Sequence, residues 1–422
     1  MSERGVARRL ARRGALALLL AVTALPPTTS ASGAAAAPVT PCSRVAVAPD
    51  VRDPTVYCAG EVVDEHRTVT DVALFVSRDR GRTWTKATGS GLTVQPAGAA
   101  GEVLLDLFVS PEHAVDHTVF LDLAPGGLYE STDYGTTFLI VDPLLGTRPV
   151  RPFVTGVSAA ATGSVGRRTT LVAAATSNVD GANASVLIDP VTHSRTPIKG
   201  TPGRDIAYAV SPNYLEDHRA FAVGASGAGT GALTVYGCNL AFDCSTPLKQ
   251  FPAYSRFGRI WISGSLVAIS IDDGAGHFAV WRSTDGGAHW SVWRPVQSIL
   301  AAYKLGAPYY DLVFPTARTV YLRTSFDGYR EPPGEQLFVS RDNGNTFTRI
   351  AWGKEPPGPA GTMPLLPLPM TNGDQNLRAG IVAVGPDGRI FEIGRRRDRT
   401  GFTSTFACTV DNGRHWAYRC AK

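Results

Sequence analysis

Three short stretches of the chain combine carboxylates with aromatic rings, histidine or arginine. They are Asp272, Asp273 and His277; Tyr309, Tyr310 and Asp311; and Asp327, Tyr329, Arg330 and Glu331. Groups of these types suit a carbohydrate site. Rings cover sugar faces, arginine and carboxylates bind hydroxyls, and two carboxyls at the right separation carry out acid–base hydrolysis. The same residues are ordinary loop composition, so they mark a possible binding face and none is assigned a catalytic role. His113 and His117 have the four-residue spacing that holds zinc on a helix. Asp116-His117 aligns with Asp217-His218, however, so both pairs read as one repeated turn. No metal and no cofactor is expected.

The elements that must position such residues are announced by an octapeptide that occurs five times: SRDRGRTW at 77–84, STDYGTTF at 131–138, STDGGAHW at 283–290, SRDNGNTF at 340–347 and TVDNGRHW at 409–416. The shared pattern is Ser/Thr-x-Asp-x-Gly-x-Thr/His-aromatic. Its members are Ser77, Asp79, Gly81 and Trp84; Ser131, Asp133, Gly135 and Phe138; Ser283, Asp285, Gly287 and Trp290; Ser340, Asp342, Gly344 and Phe347; and Thr409, Asp411, Gly413 and Trp416. The aspartate can accept backbone N–H bonds in an Asx-type turn. The glycine takes a positive φ without a steric cost, and the closing ring is an apolar anchor for the next strand. His289 and His415 take the threonine position of their copies. Apolar runs such as VALFV at 72–76 precede each copy and suit strands covered on both faces. A calcium loop is the rival reading and the weaker one, because such a loop is longer and ends in a glutamate missing here, and because Arg78, Arg80, Arg82 and Arg341 crowd the turn with positive charge.

This octapeptide resembles the Asp box, or BNR repeat, of sialidase-like β-propellers. The resemblance covers 42–422 and implies an all-β chain forming a single seven-bladed propeller, with each box joining the third and fourth strands of a blade. The box aspartates at 79, 133, 285, 342 and 411 leave a gap that Asp189 and Asp243 fill as degenerate copies. Seven blades follow, at about 42–88, 102–142, 152–199, 204–250, 257–296, 308–352 and 378–422. A second repeat precedes the boxes, a Ser-Pro-like corner between the first two strands, as at Ser110-Pro111 and Ser211-Pro212. No stretch has a helical period.

Residues 1–40 read as a signal peptide and cleavage region. Arg4, Arg8, Arg9, Arg12 and Arg13 precede an apolar run that is short for a membrane span. The formal charge is +5. Loss of those five Arg and of Glu3 brings it to about +1, so no nucleic-acid partner is inferred. Six cysteines in an exported chain imply disulfides. The local pairing Cys42–Cys58, Cys238–Cys244 and Cys408–Cys420 is favoured. The alternative is a bridge from Cys42 or Cys58 to Cys408 or Cys420, across the seam of the ring.

The Asp box specifies fold and says little of activity. Sialidases that carry it have an N-terminal Arg-Ile-Pro, which this chain lacks; Arg259-Ile260-Trp261, Arg349-Ile350-Ala351 and Arg389-Ile390-Phe391 are the nearest strings. The leading expectation is a secreted, monomeric module that binds an extracellular glycan or protein without catalysis. The alternative is a glycoside hydrolase or lyase acting on an extracellular polysaccharide.

Overall fold

Strands in this chain pair with their neighbours in sequence. The computed structural model describes residues 42, 44–63, 68–94, 104–123, 127–142, 153–158, 171–175, 185–189, 194–197, 199, 204–211, 217–225, 232–239, 243–251, 256–272, 278–302, 310–316, 318–324, 336–350, 382–398 and 401–410. All belong to the compact unit Pro38–Lys422. They form six four-stranded antiparallel sheets and one three-stranded sheet, and in each the strand order follows the chain. By position these are the first (44–86), second (104–142), third (153–197), fourth (204–251), fifth (256–292), sixth (310–350) and seventh (382–409) sheets.

The apolar runs explain how the sheets stack. Every residue of Val119–Leu123, Gly127–Ser131 and Val320–Thr324 is buried, as strands covered on both faces require. Tyr57 and Leu74 of the first sheet pack with Leu121 and Tyr129 of the second. Phe221 and Val235 of the fourth meet Ile260 and Ile269 of the fifth. Trp261 and Val280 of the fifth meet Leu322 and Phe338 of the sixth. Tyr321 and Leu337 of the sixth meet Val384 and Ile390 of the seventh. The strands Phe153–Ser158 and Leu171–Ala175 lie against Arg204–Val210, joining third to fourth. The packing then returns to its start: Phe391 and Cys408 of the seventh sheet share a core with Cys42, Val45, Val56 and Cys58 of the first. Fourth strands are short where the edge meets solvent, as in Thr85–Lys86 and Ser291–Val292, which leaves little unpaired backbone.

Among the described residues, two helical segments of four residues or more depart from an all-strand reading. His113–Asp116 forms one helical turn in the corner of the second sheet. Arg294–Ala302 is a helix that follows the fifth sheet. It starts with proline near its first turn, where a missing N–H costs nothing. It buries Val296 and Leu300, four residues apart on one face, and Gln297 Oε1 accepts the N–H of Val280 at 3.1 Å. The run is too short for a period to stand out in sequence, and its helicity comes from packing on the fifth and sixth sheets.

Cys42–Cys58 and Cys238–Cys244 are disulfides, both of the local scheme. Cys408 is also disulfide-bonded; its expected partner, Cys420, lies outside the described residues. Among the described residues no helix is long and apolar enough to cross a membrane.

Candidate functional site

The octapeptide turns consume their own polar groups. In the second sheet Ser131 Oγ donates to Asp133 Oδ1 at 2.7 Å and accepts the Gly135 N–H at 2.8 Å. Thr137 then gives its N–H to Oδ1 at 2.8 Å and its hydroxyl to Oδ2 at 2.6 Å. The first sheet repeats this with Ser77, Asp79, Gly81 and Thr83, and the sixth with Ser340, Asp342, Gly344 and Thr346. In the fifth, His289 replaces the threonine because its Nδ1 reaches Asp285 Oδ2 at 2.7 Å. The closing rings complete the turns: Trp84 and Trp290 donate Nε1–H to Gly81 O and Gly287 O. Asp411, Gly413 and Trp416 of the last octapeptide lie outside the described residues; Thr409 ends the seventh sheet, buried.

The fourth sheet closes the same connection differently. Asp243 donates its N–H to Asn239 Oδ1 at 3.0 Å, and the Cys238–Cys244 disulfide bridges the strands. In the third sheet, Asp189 ends the strand Ser185–Asp189 that leads into Ser194–Pro197.

The carboxylates of Asp79, Asp133, Asp285 and Asp342 are held ionised. At Asp285 the His289 N–H, the Ser283 hydroxyl and the His289 ring hold the carboxyl far below its usual range. The N–H and hydroxyl of Thr346, with Ser340, bring Asp342 to about 2. At Asp79 and Asp133 desolvation pushes upward, but hydrogen bonds from Thr83 and Ser77, and from Thr137 and Ser131, outweigh it and leave both lowered. Groups whose folded pKa lies below the unfolded value of about 3.9 stabilise the fold above that pH and cease to do so as pH falls through the folded value. The thermal midpoint is therefore expected to be flat from about pH 7 to pH 5 and to drop steeply between about pH 4 and pH 2. An Asp133→Asn variant, followed by circular dichroism, should start lower and fall less steeply.

Corner carboxylates are equally occupied. Asp116 accepts the Ser110 hydroxyl at 2.7 Å and the Thr118 N–H at 2.9 Å. Asp217 repeats this with Ser211 at 2.6 Å and Arg219 at 3.0 Å. His117 and His218 follow them with φ of 55° and 52°, so the repeated turn read in the sequence is present. Asp53 is the matching residue of the first sheet and accepts the Thr55 N–H at 2.9 Å. Ala48 stands there in the place of Ser110, so the second carboxylate oxygen has no local hydroxyl. His113 of the second sheet meets it instead, Nδ1 to Asp53 Oδ2 at 2.6 Å, and Tyr57 Oη lies 2.8 Å from His113 Nε2. His113 is fully buried. Burial, with the charge of Asp53, pushes the Tyr57 hydroxyl far up, so it keeps its proton. A proton on Nδ1 then satisfies all three groups. Above them Tyr134 stacks on His117 at 4.3 Å, with the Arg78 guanidinium 4.0 Å from its ring centre. Only the Ala48-for-Ser110 difference hinted at this cluster in the sequence.

Of the residues expected at a binding face, Asp272, Tyr310 and Asp311 fall in described strands. Asp272 ends Leu266–Asp272 and pairs with Arg256 and Phe278. Tyr310 begins Tyr310–Val313, and Asp311 pairs with Arg323. The octapeptide turn of the fifth sheet begins at Ser283, the opposite end of the ladder in which Asp272 faces Phe278. Tyr310 likewise faces Thr324 at the end of its sheet away from Ser340, which pairs with Val320. Asp272 and Tyr310 thus share the end remote from the turns. The Tyr310 ring packs 6.0 Å from that of Trp261, between the fifth and sixth sheets. Asp273, His277, Tyr309, Asp327, Tyr329, Arg330 and Glu331 lie outside the described residues. Among the described residues no group of three or more His, Cys, Asp or Glu is arranged to hold a metal ion.

No family model matches the chain, and no curated protein does. Among solved structures it is similar to a puromycin-hydrolysing peptidase of Mycobacterium tuberculosis, at 11% identity and a TM-score of 0.52, over 90% of this chain and 54% of the peptidase. It is more weakly similar to a GH74 xyloglucanase from Xanthomonas campestris, at 16% identity and 0.42, over 90% of this chain and 66% of the enzyme. Similarity to YCF48 bound to D1 peptide is 14% in identity and 0.45, over 86% and 93% of the two chains. The chain thus spans about half the peptidase and just under two thirds of the xyloglucanase. At such identities the likeness concerns fold alone. Antiparallel meanders that pack on one another and return to the first have the architecture of a β-propeller, and that is the fold of this chain.

Proposed function

We propose that this chain is an exported, monomeric, seven-bladed propeller of the Asp-box type that binds an extracellular glycan or protein and performs no chemistry on it. The observation that carries the reading is the division of polar groups between the two ends of the sheets. At the turn end, Asp79, Asp133, Asp285 and Asp342 hold the backbone and neighbouring side chains. A carboxylate engaged in this way is a poor acid or base. At the other end stand Asp272 and Tyr310; in sequence Asp273, His277 and Tyr309 flank these two, and Asp327, Tyr329, Arg330 and Glu331 follow the strand that ends at Thr324. Export is supported by the charged and apolar halves of 1–40 and by disulfides, which persist in oxidising compartments.

The exported protein should be collected from the medium and tested on arrayed glycans and soluble polysaccharides, with Asp273→Asn and Asp327→Asn alongside. Retention on one ligand class, weakened about tenfold by either change and without release of reducing sugar, is the expected result. Turnover that either substitution abolishes would establish a glycoside hydrolase or lyase and overturn the binding reading.

A further inference from the structure

The third octapeptide position after the serine has a left-handed backbone in each described copy: Arg80 at φ 63°, Tyr134 at 62°, Gly286 at 72° and Asn343 at 58°. Glycine and asparagine accept that conformation readily, whereas a long side chain is strained in it. A strained residue calls for a compensating contact. Arg80 has several, and they cross from the first sheet to the seventh. Its Nη1 lies 3.6 Å from Asp387 Oδ2, and its carbonyl accepts Arg389 Nη1–H at 3.4 Å. Arg389, itself almost buried, holds Asp387 at 2.9 Å. Within the first sheet, Arg80 Nη2 donates to Val51 O at 3.2 Å and its N–H to Pro54 O at 2.9 Å.

These contacts border a shallow cleft lined by Val47, Val51, Asp53, Arg80, Asp387 and Phe391 among others. Two guanidiniums and two carboxylates balance there, so the cleft offers no net charge to a ligand. Neither disulfide between described cysteines crosses the seam: each lies within one sheet. We propose that Arg80 is a latch, which joins the turn of the first sheet to the corner of the seventh, and that this seam is where the succession of sheets opens first.

The test is hydrogen exchange read by mass spectrometry on peptides covering Arg44–Val47 and Ile390–Asp398, with Leu266–Asp272 as reference. Asn is the residue at the same turn position in the sixth sheet, so Arg80→Asn keeps a turn that folds. Exchange at both seam strands is expected to rise about tenfold, with the reference unchanged. Asp387→Asn should do the same from the other side. Raising salt from about 0.05 to 0.5 M should quicken the seam in the unaltered protein and add little in either variant. Seam exchange as slow as in the unaltered protein, or an equal rise in all peptides, would overturn the latch.

Discussion

Gly344→Ala is expected to cost about 2–5 kcal/mol and to lower the thermal midpoint more than any other single alanine in the turns. Left-handed backbone alone makes alanine worse than glycine by about 1–2 kcal/mol. Here the added Cβ would also stand 2.1 Å from Trp293 Cζ2, with φ at 77°. Trp293 is fully buried and gives its Nε1–H to Gly344 O at 2.7 Å. It cannot retreat without losing that bond and disturbing the core of the fifth and sixth sheets, which adds about 1–3 kcal/mol. Gly388→Ala is the control. Its φ is 82°, and nothing lies within 4 Å of the new Cβ, so it should cost only about 1–2 kcal/mol. Equal losses in the two variants would show that backbone conformation alone selects glycine.

His113→Ala should cost about 3 kcal/mol or more. It removes a fully buried ring and leaves Asp53 and Tyr57 without their shared partner. Both a cavity and unmet polar groups contribute. Asp53→Ala orphans the histidine from the other side, so the two losses should not add. A double-mutant cycle by denaturant unfolding is expected to give a coupling of about 1.5–3 kcal/mol. Simple additivity, or a single loss under about 1 kcal/mol, would mean that the contact between the first two sheets does not depend on this cluster.

The turn glycines and the histidine show what the sequence disclosed. The octapeptide stated that Gly135, Gly287 and Gly344 need positive φ, and their φ values are 85°, 93° and 77°. It did not disclose the second reason for glycine. A Cβ on Gly135 would lie 2.4 Å from Leu74, and one on Gly287 2.8 Å from Leu248, each on the preceding sheet. Short-range chemistry is written in adjacent letters; a close approach between sheets is not. The same holds for His113, which read only as part of the repeated corner, where the other copy has Tyr214, and whose partners lie 56 and 60 residues away. The strands and their order were legible because apolar runs and turn signals alternate regularly. The helix Arg294–Ala302 was not, because two buried residues make no period. The proposed binding face was legible only as composition: Asp272 and Tyr310 share an end of the sheets, while Tyr310 is partly a packing residue against Trp261.

The meander order has a consequence for the making of this protein. Each sheet pairs strands that are close in sequence, so it can form as soon as its own segment has emerged. The contact between Arg80 and Arg389 spans 309 residues. During synthesis the first sheet therefore keeps one flank bare until the seventh arrives. Over that interval its apolar side is open to a chaperone, or to a second nascent chain.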